Sequence, residues 1–455
     1  MRIAFHTLGC KVNQYETESM REQFRKAGHS IVGETDAADV YIINTCTVTN
    51  LADRKSRQYI RRMKKQCPDS MICVTGCYVQ IKPDEVAAIE GVDIIAGTNE
   101  KENILGYVEG FASGADTGNR HVLPYEKLSE YTGSGIITSM ESRTRAYIKI
   151  EDGCDRFCSY CVIPYARGKV RSRRMDEILA EAENLVARGF KELILTGINT
   201  ALYEDLPGLL EKLDDLKVSE STGGNEKEFR VRLSSLEPTV VNAEYVKGLF
   251  RFRRLCHHLH LSMQSGSDNV LRAMKRRYDM AGYMQIVDAL KGFDPLYGIS
   301  TDIIAGFPGE TDDDIKDSID AIGKIGFCKT HAFNYSQRPG TVAAAMSDQV
   351  PPPVRKQRVA MLIKAGEEAQ KEFAEKNIGT VNRVLFEERA VTGSADQYDL
   401  SNEDNMNEVR FMAGYTDNYL RAYAEYDEKY LGELTDVRIT GLFGDGVMAE
   451  ILPGN

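Results

Sequence analysis

The sequence predicts a three-part chain of α/β class: an N-terminal parallel α/β domain, a central partial (β/α)6 barrel of the TIM-like kind, and a small all-β barrel at the C-terminus. Three observations predict it. Apolar strand-like runs alternate with helical patterns in two separate series, which is the mark of a parallel sheet. A segment rich in Gly, Ser and Thr divides the two series. Short strands with turn signals fill the residues after 376. The length of 455 residues, with 42% apolar and 27% charged, suits two or three globular domains and excludes disorder, collagen and a coiled coil.

In the first series, strands are expected at 3–8, 40–44, 71–75 and 92–96, with helices over 16–27 and 52–65 and a short one near 85–89. The 52–65 helix carries Arg54, Lys55, Arg57, Arg61, Arg62, Lys64 and Lys65, which reads as either a solvated face or a polyanion-binding face. Residues 1–112 form this domain, and 113–143 read as a linker. The second series, 144–376, places strands at 146–150, 193–196, 229–234, 258–263, 299–304 and 330–334, with a helix after each. In such a barrel, function collects at the C-terminal ends of the strands. Three prolines from Pro351 open a long charged helix, and residues 377–455 form the last domain.

Charge and targeting signals narrow the function classes. The formal net charge of -11 argues against coating nucleic acid through bulk charge, and residues 376–455, with 7 basic and 15 acidic side chains, carry most of it. No run approaches the ~18 to 20 apolar residues of a spanning helix, and the start lacks the basic and apolar regions of a secretory signal, so a cytoplasmic protein without a membrane role is expected. In a reducing compartment, ten cysteines are better read as metal ligands, redox groups or buried thiols than as disulfides.

Their spacing is informative. Cys154, Cys158 and Cys161 form C-x3-C-x2-C directly after the first strand of the second series. Three soft thiolates grouped this tightly can hold an iron-sulfur cubane and leave its fourth iron without a protein ligand. A structural zinc site would want a fourth Cys or His close by, and none follows in the usual pattern. A second trio, Cys10, Cys46 and Cys77, follows the first three strands of the N-terminal series. All three therefore lie at one edge of a parallel sheet and can converge. The bland reading is three buried thiols.

The first trio resembles the cluster motif of the radical S-adenosylmethionine superfamily. That resemblance implies a [4Fe-4S] cluster whose open iron is chelated by S-adenosylmethionine, and a 5'-deoxyadenosyl radical made by its reductive cleavage. It also implies cofactor contacts at successive strand ends: Tyr160 near the adenine, Thr196, Gly197 and Asn199 after the second strand, Ser235 and Glu237 after the third, Gln264 after the fourth and Asp302 on the fifth. The phrases Leu8-Gly9-Cys10-Lys11-Val12-Asn13-Gln14, Asn44-Thr45-Cys46-Thr47 and Thr75-Gly76-Cys77 resemble the N-terminal module of the methylthiotransferases, in which three cysteines hold an auxiliary [4Fe-4S] cluster. In that family the module precedes a radical barrel and a terminal TRAM barrel.

Members modify an adenosine beside the tRNA anticodon or an aspartate of a ribosomal protein. Lys11 and Val12 resemble the bacterial branch acting on N6-threonylcarbamoyladenosine at position 37. The alternatives are the isopentenyladenosine branch and the ribosomal-protein branch. The resemblance implies two molecules of S-adenosylmethionine per turnover and a low-potential electron donor of flavodoxin or ferredoxin type. Its substrate is the anticodon stem-loop, and a monomer is expected. No side chain beyond the cluster ligands is given a catalytic role, and His6, His257, His258 and His260 read as structural. RNA contacts are expected from Arg57, Arg61 and Arg62, from Arg171 and Arg174 in the basic run after the cluster loop, and from Tyr419 and Arg421 in the TRAM-like signature.

Overall fold

The computed structural model describes residues 1–115, 118–133, 135–138, 140, 144–219, 226–390 and 410–453. Six parallel strands form the first sheet, in the order Ser30–Val32, Arg2–Thr7, Val40–Thr45, Met71–Gly76, Ile94–Ala96, Arg120–His121. Val40–Thr45 is buried along its whole length, as a central strand covered on both faces must be. Helix Lys11–Lys26 follows the first strand, Asn50–Gln66 the central one, and the short Cys77–Ile81 the fourth in space. Parallel pairing sets the C-terminal ends of these strands along one edge, and that edge carries Cys10, Cys46 and Cys77.

The expected linker 113–143 is corrected. Arg120–His121 joins the sheet as its edge strand, and Leu128 and Ile137 are buried. The N–H of Ile137 donates to Glu181 on helix Met175–Ala187 at 2.7 Å. A two-residue strand has too little sequence to show periodicity. Positions 116–117, 134, 139 and 141–143 of this segment, and 391–409 of the terminal domain, lie outside the described residues.

The central domain sets six parallel strands in chain order: Arg145–Lys149, Glu192–Thr196, Arg230–Leu233 continued by Ser235–Leu236, His258–Leu261, Gly298–Ala305 and Lys329–Asn334. Their outward residues, among them Ile148, Leu193, Leu195, Val231, Leu233, Leu259, Leu261 and Ile303, enter one apolar core with the surrounding helices. Each such burial is worth about 1.5–3 kcal/mol. Side chains alternate along a strand, so the inward positions are Arg145, Glu192, Arg230, Arg232, His258, His260, Asp302 and His331. The interior of the arc is therefore lined by charge. The long helix Pro352–Lys376 packs on the sixth strand at Thr330, leaving His331 on the inner face.

Five strands close the C-terminal barrel, in the order Val381–Ala390, Phe411–Thr416, Arg421–Glu425, Gly446–Ile451, Leu434–Phe443. Its loop after Thr416 plugs the floor of the arc. Arg230 donates to the Tyr415 carbonyl at 2.9 Å, and Arg232 donates to the carbonyls of Thr416 and Asp417 at 3.1 and 2.9 Å. Arg145 pairs with Glu387. A cavity of about 780 Å3 opens beside this interface, between Arg230, His257 and Asn418. It lies at the N-terminal ends of the barrel strands, opposite the end that carries the cluster loop.

Candidate active site

Each N-terminal thiol is delivered by a strand end. Cys10 caps helix Lys11–Lys26, Cys46 follows Val40–Thr45 directly, and Cys77 opens Cys77–Ile81. Glycines precede two of them for a backbone reason. Gly9 has φ +120°, and a Cβ there would sit 3.2 Å from Cys46 Sγ; Gly76 has φ +103°, and a Cβ there would run into the Thr45 backbone. Cys46 and Cys77 are buried and Cys10 is exposed. Burial, then the neighbouring Cys77 and Cys10, push the Cys46 thiol up to about 12. Cys77 is raised by burial, against the pull of Arg167.

In the barrel, the loop Cys154 to Cys161 follows the first strand. Its turn is fixed by the Cys154 N–H donating to the Gly168 carbonyl and by left-handed Phe157 at φ +47°. Burial first, then Cys158, push Cys154 and Cys161 up to about 12. Arg276 donates to Cys158 Sγ at 3.3 Å. Among the described residues, no group of three His, Cys, Asp or Glu side chains is compact enough for one metal ion. Burial nonetheless disfavours ionisation of Cys46, Cys77, Cys154 and Cys161, a penalty that a cationic iron cluster removes.

The sheet edge that bears the first trio docks on the barrel. Arg167, wholly buried at the end of helix Ile163–Arg167, donates Nε to Cys77 Sγ at 3.2 Å and Nη2 to Asn13 at 2.7 Å, and it pairs with Glu16. Glu16 also receives Lys149 at 2.9 Å and Lys101. Burial would raise the Glu16 carboxyl, but Arg167, Lys101 and Lys149 hold it well below the usual range. On the far side of the mouth, buried Arg338 donates to Thr47 at 2.6 Å and pairs with Asp53 at 3.0 Å, while the Asn50 N–H donates to Ser336 at 3.0 Å. These contacts clamp the sheet edge bearing Cys46 onto the end of the sixth barrel strand.

The expected cofactor residues gather around the Cys154 loop. Thr196 ends its strand, and at Gly197 any Cβ would meet the Glu151 side chain. The Asn199 N–H donates to Glu151 at 3.0 Å, and its side chain donates to Glu237 at 3.3 Å. Glu237 pairs with Arg156 of the loop at 2.7 Å, and the Ser235 carbonyl accepts from Thr200. Among the described residues, Glu151 Oε1 and Asn199 Oδ1 are buried with no hydrogen-bond partner. Two orphaned acceptors here suit an ammonium donor such as the methionyl end of S-adenosylmethionine. Burial holds the Glu151 carboxyl well above its ordinary range. Gln264 is left-handed at φ +66°, its N–H donating to the Asp302 carbonyl. Tyr160 packs edge-on against Phe307. Asp302 stands apart, paired with His260 at 3.2 Å inside the arc.

The RNA-contact expectations are corrected in part. Arg171 is buried, donating to the Leu128 carbonyl and pairing with Asp152, so its charge serves the module interface. Tyr419 is sandwiched between His258 and Tyr415, with ring centroids 4.4 and 4.8 Å away, which covers both faces. Arg421 pairs with Glu388 and Asp445. Arg57 is held by Tyr78 and Glu85. Arg174 is exposed and paired with Asp176. Arg61 and Arg62 remain at the surface with Arg54 and Lys55, Arg62 lying over Tyr59. Sequence reasoning missed Arg167, Glu151, Arg156 and Arg276, because ion pairing across the fold leaves no local spacing.

Fold and site together define a class: a barrel with a three-thiol loop at its mouth, docked to a parallel sheet that brings three more. Residues 2–97 match the model of an uncharacterized protein family, UPF0004, and residues 148–322 match the radical SAM superfamily. A threonylcarbamoyladenosine tRNA methylthiotransferase of Bacillus subtilis, MtaB, is 40% identical over 96% of this chain and 93% of its own length. The MtaB of Thermotoga maritima is 36% identical over 98% and 96%. A tRNA-2-methylthio-N(6)-dimethylallyladenosine synthase of Caldicellulosiruptor saccharolyticus is 34% identical over 84% and 81%. In fold, a radical S-adenosylmethionine methyltransferase from Kitasatospora setae, TsrM, superposes with TM-score 0.58 at 14% identity, covering 88% of this chain and 79% of that one. The chain belongs to the tRNA methylthiotransferase family of radical S-adenosylmethionine enzymes. Enzymes of this family use two [4Fe-4S] clusters and S-adenosylmethionine. Among the described residues no helix is long and apolar enough to cross a membrane.

Proposed function

We propose that this enzyme converts N6-threonylcarbamoyladenosine at tRNA position 37 to its 2-methylthio derivative. The observation that carries the reading is the Arg167 bridge, a barrel side chain that touches the N-terminal thiol Cys77 and so brings the sheet edge bearing it against the end of the barrel that carries the Cys154 loop. The similarity to the MtaB enzymes supports the choice of substrate.

Cys10, Cys46 and Cys77 would hold the auxiliary cluster, and Cys154, Cys158 and Cys161 the radical cluster. When bound, the clusters and S-adenosylmethionine supply the electron, the radical and the sulfur that an unactivated aromatic C–H bond demands. The chain positions and shields. Glu151 and Asn199, beside Thr196 and Gly197, offer acceptors to the methionyl ammonium. Glu237 and Ser235 would hold the ribose hydroxyls, the Gln264 backbone would line the fourth strand end, and Tyr160 would stand near the adenine. Arg276 and Arg156 screen the loop thiolates and Glu237.

The same reading divides the chain into a first domain of 1–112 extended by the edge strand Arg120–His121, then 144–376 and 377–455. The anticodon stem-loop is held partly by Arg54, Lys55 and Arg61, a low-potential flavodoxin- or ferredoxin-type donor reduces the barrel cluster, and the enzyme works as a cytoplasmic monomer. Nucleoside analysis of tRNA from a deletion strain tests it. Loss of the methylthio group from threonylcarbamoyladenosine supports the reading, and an unchanged profile rejects it.

A further inference from the structure

Lys11 is the first residue of helix Lys11–Lys26 and the neighbour of Cys10. Its side chain is exposed, and among the described residues it makes no hydrogen bond or ion pair. Yet the charges around it are those of the barrel interior: Arg145, Arg232, Glu192 and Asp302, with His258 and His331 also within its field. The helix thus lowers one lysine from the N-terminal module through the mouth of the arc.

The anions below it are already engaged. Glu192 receives Arg230 at 2.6 Å and Arg232 at 2.9 Å, and Asp302 is held by His260. At the floor, Arg145, Arg230 and Arg232 are engaged by Glu387 and Glu192, and the Asp417 carboxylate also lies in the field of Arg232. Lys11 is left, among the described residues, without a carboxylate partner. An ammonium so placed favours an anion beside it.

Adenine chemistry says which anion. C2 and the N6-bearing carbon flank N1 on the same edge of the ring, so a base that presents C2 to the thiols around Cys10 carries its N6 substituent past the residue beside that cysteine. The threonylcarbamoyl group is an amino acid joined through a urea, and it ends in a carboxylate. A dimethylallyl group, the modification named for the Caldicellulosiruptor relative, is apolar and gains nothing from an ammonium. We propose that Lys11 is a specificity residue that pairs with the carboxylate of the threonylcarbamoyl group. This rests on the function proposed above and adds the residue that reads the substrate.

The test measures anaerobic binding of the reconstituted holoenzyme with S-adenosylmethionine to three anticodon stem-loops. One carries threonylcarbamoyladenosine, one its carboxyl methyl ester and one plain adenosine. A charge-assisted pair predicts that the wild type binds the acid ~10-fold or more tighter than the ester. Lys11→Met binds acid and ester alike at the ester's level, Lys11→Arg restores the preference, and iron content and S-adenosylmethionine affinity stay as in the wild type. A wild type that binds acid and ester equally overturns the inference without recourse to any variant. So does a Lys11→Met enzyme that keeps the preference, or one that weakens all three stem-loops alike, since that marks a phosphate contact. If the function itself is misassigned, the wild type neither methylthiolates the acid stem-loop nor prefers it to plain adenosine, an outcome distinct from methylthiolation without discrimination of the ester.

Discussion

Gly76 and Arg167 hold Cys77 in two different ways. Gly76 supplies a left-handed turn against the Thr45 backbone, so Gly76→Ala forces the strand end apart. A strained left-handed position costs on the order of 1–3 kcal/mol, to which the clash adds. The expected outcome is loss of the auxiliary cluster, read as iron falling from about eight to about four per chain. Arg167 acts through charge. Removing one partner of a buried ion pair costs about 3–5 kcal/mol, so Arg167→Met should loosen the module interface as well as Cys77, seen as a lower denaturant midpoint. The pH dependence follows from Glu16, whose folded pKa lies well below its ordinary value. Its contribution is present above the unfolded pKa near 4.5 and is lost as pH falls through the lower folded value. Acid melts between pH 5 and 3 should show that loss in the wild type and a smaller slope in Glu16→Gln.

At the scale of elements, helix Asn50–Gln66 divides its faces. Tyr59, Ile60 and Met63 are buried, while Arg54, Lys55 and Arg61 face solvent. Replacing those three by Glu should weaken stem-loop binding and reduce the salt slope by roughly 0.7–0.9 per lost phosphate contact. Salt titrations of affinity check it. Arg421→Gln, by contrast, removes a side chain already paired twice, and stem-loop affinity should change by less than about 2-fold. The strand ends and both cysteine trios were legible because strand periodicity and short cysteine spacing are local features. The run from Arg167 to Arg174 was misread for the opposite reason. Its charges look free in sequence, and only the packed partners Glu16, Asp152 and Glu181 show that Arg167, Arg171 and Arg173 are interior.

For the whole molecule, the terminal barrel serves as a floor. Tyr419 stacks on His258, and the carbonyls of 415–417 satisfy Arg230 and Arg232. Tyr419→Ala should therefore lower stability by about 3 kcal/mol, the scale of truncating a large buried ring, with stem-loop affinity per folded molecule little changed. Calorimetry and binding on the same sample separate the two effects. The docked modules also bring Lys11 within the field of the barrel charges, with Arg167 and Arg338 clamping the sheet edge to the barrel.

The sequence by itself determined the α/β class, the order of the modules and the strand ends at which the six cysteines stand, because hydrophobic period and short spacings are written within tens of residues. Tertiary structure decided which charges are spent inside the molecule and which remain. It turned Arg171 and Tyr419 from expected RNA contacts into internal fastenings, paired Arg421 with Glu388 and Asp445 at the surface, and left Lys11 without an ion pair among the described residues. The physical reason is that ionic pairing depends on distances between segments more than a hundred residues apart, which folding sets and local sequence does not record.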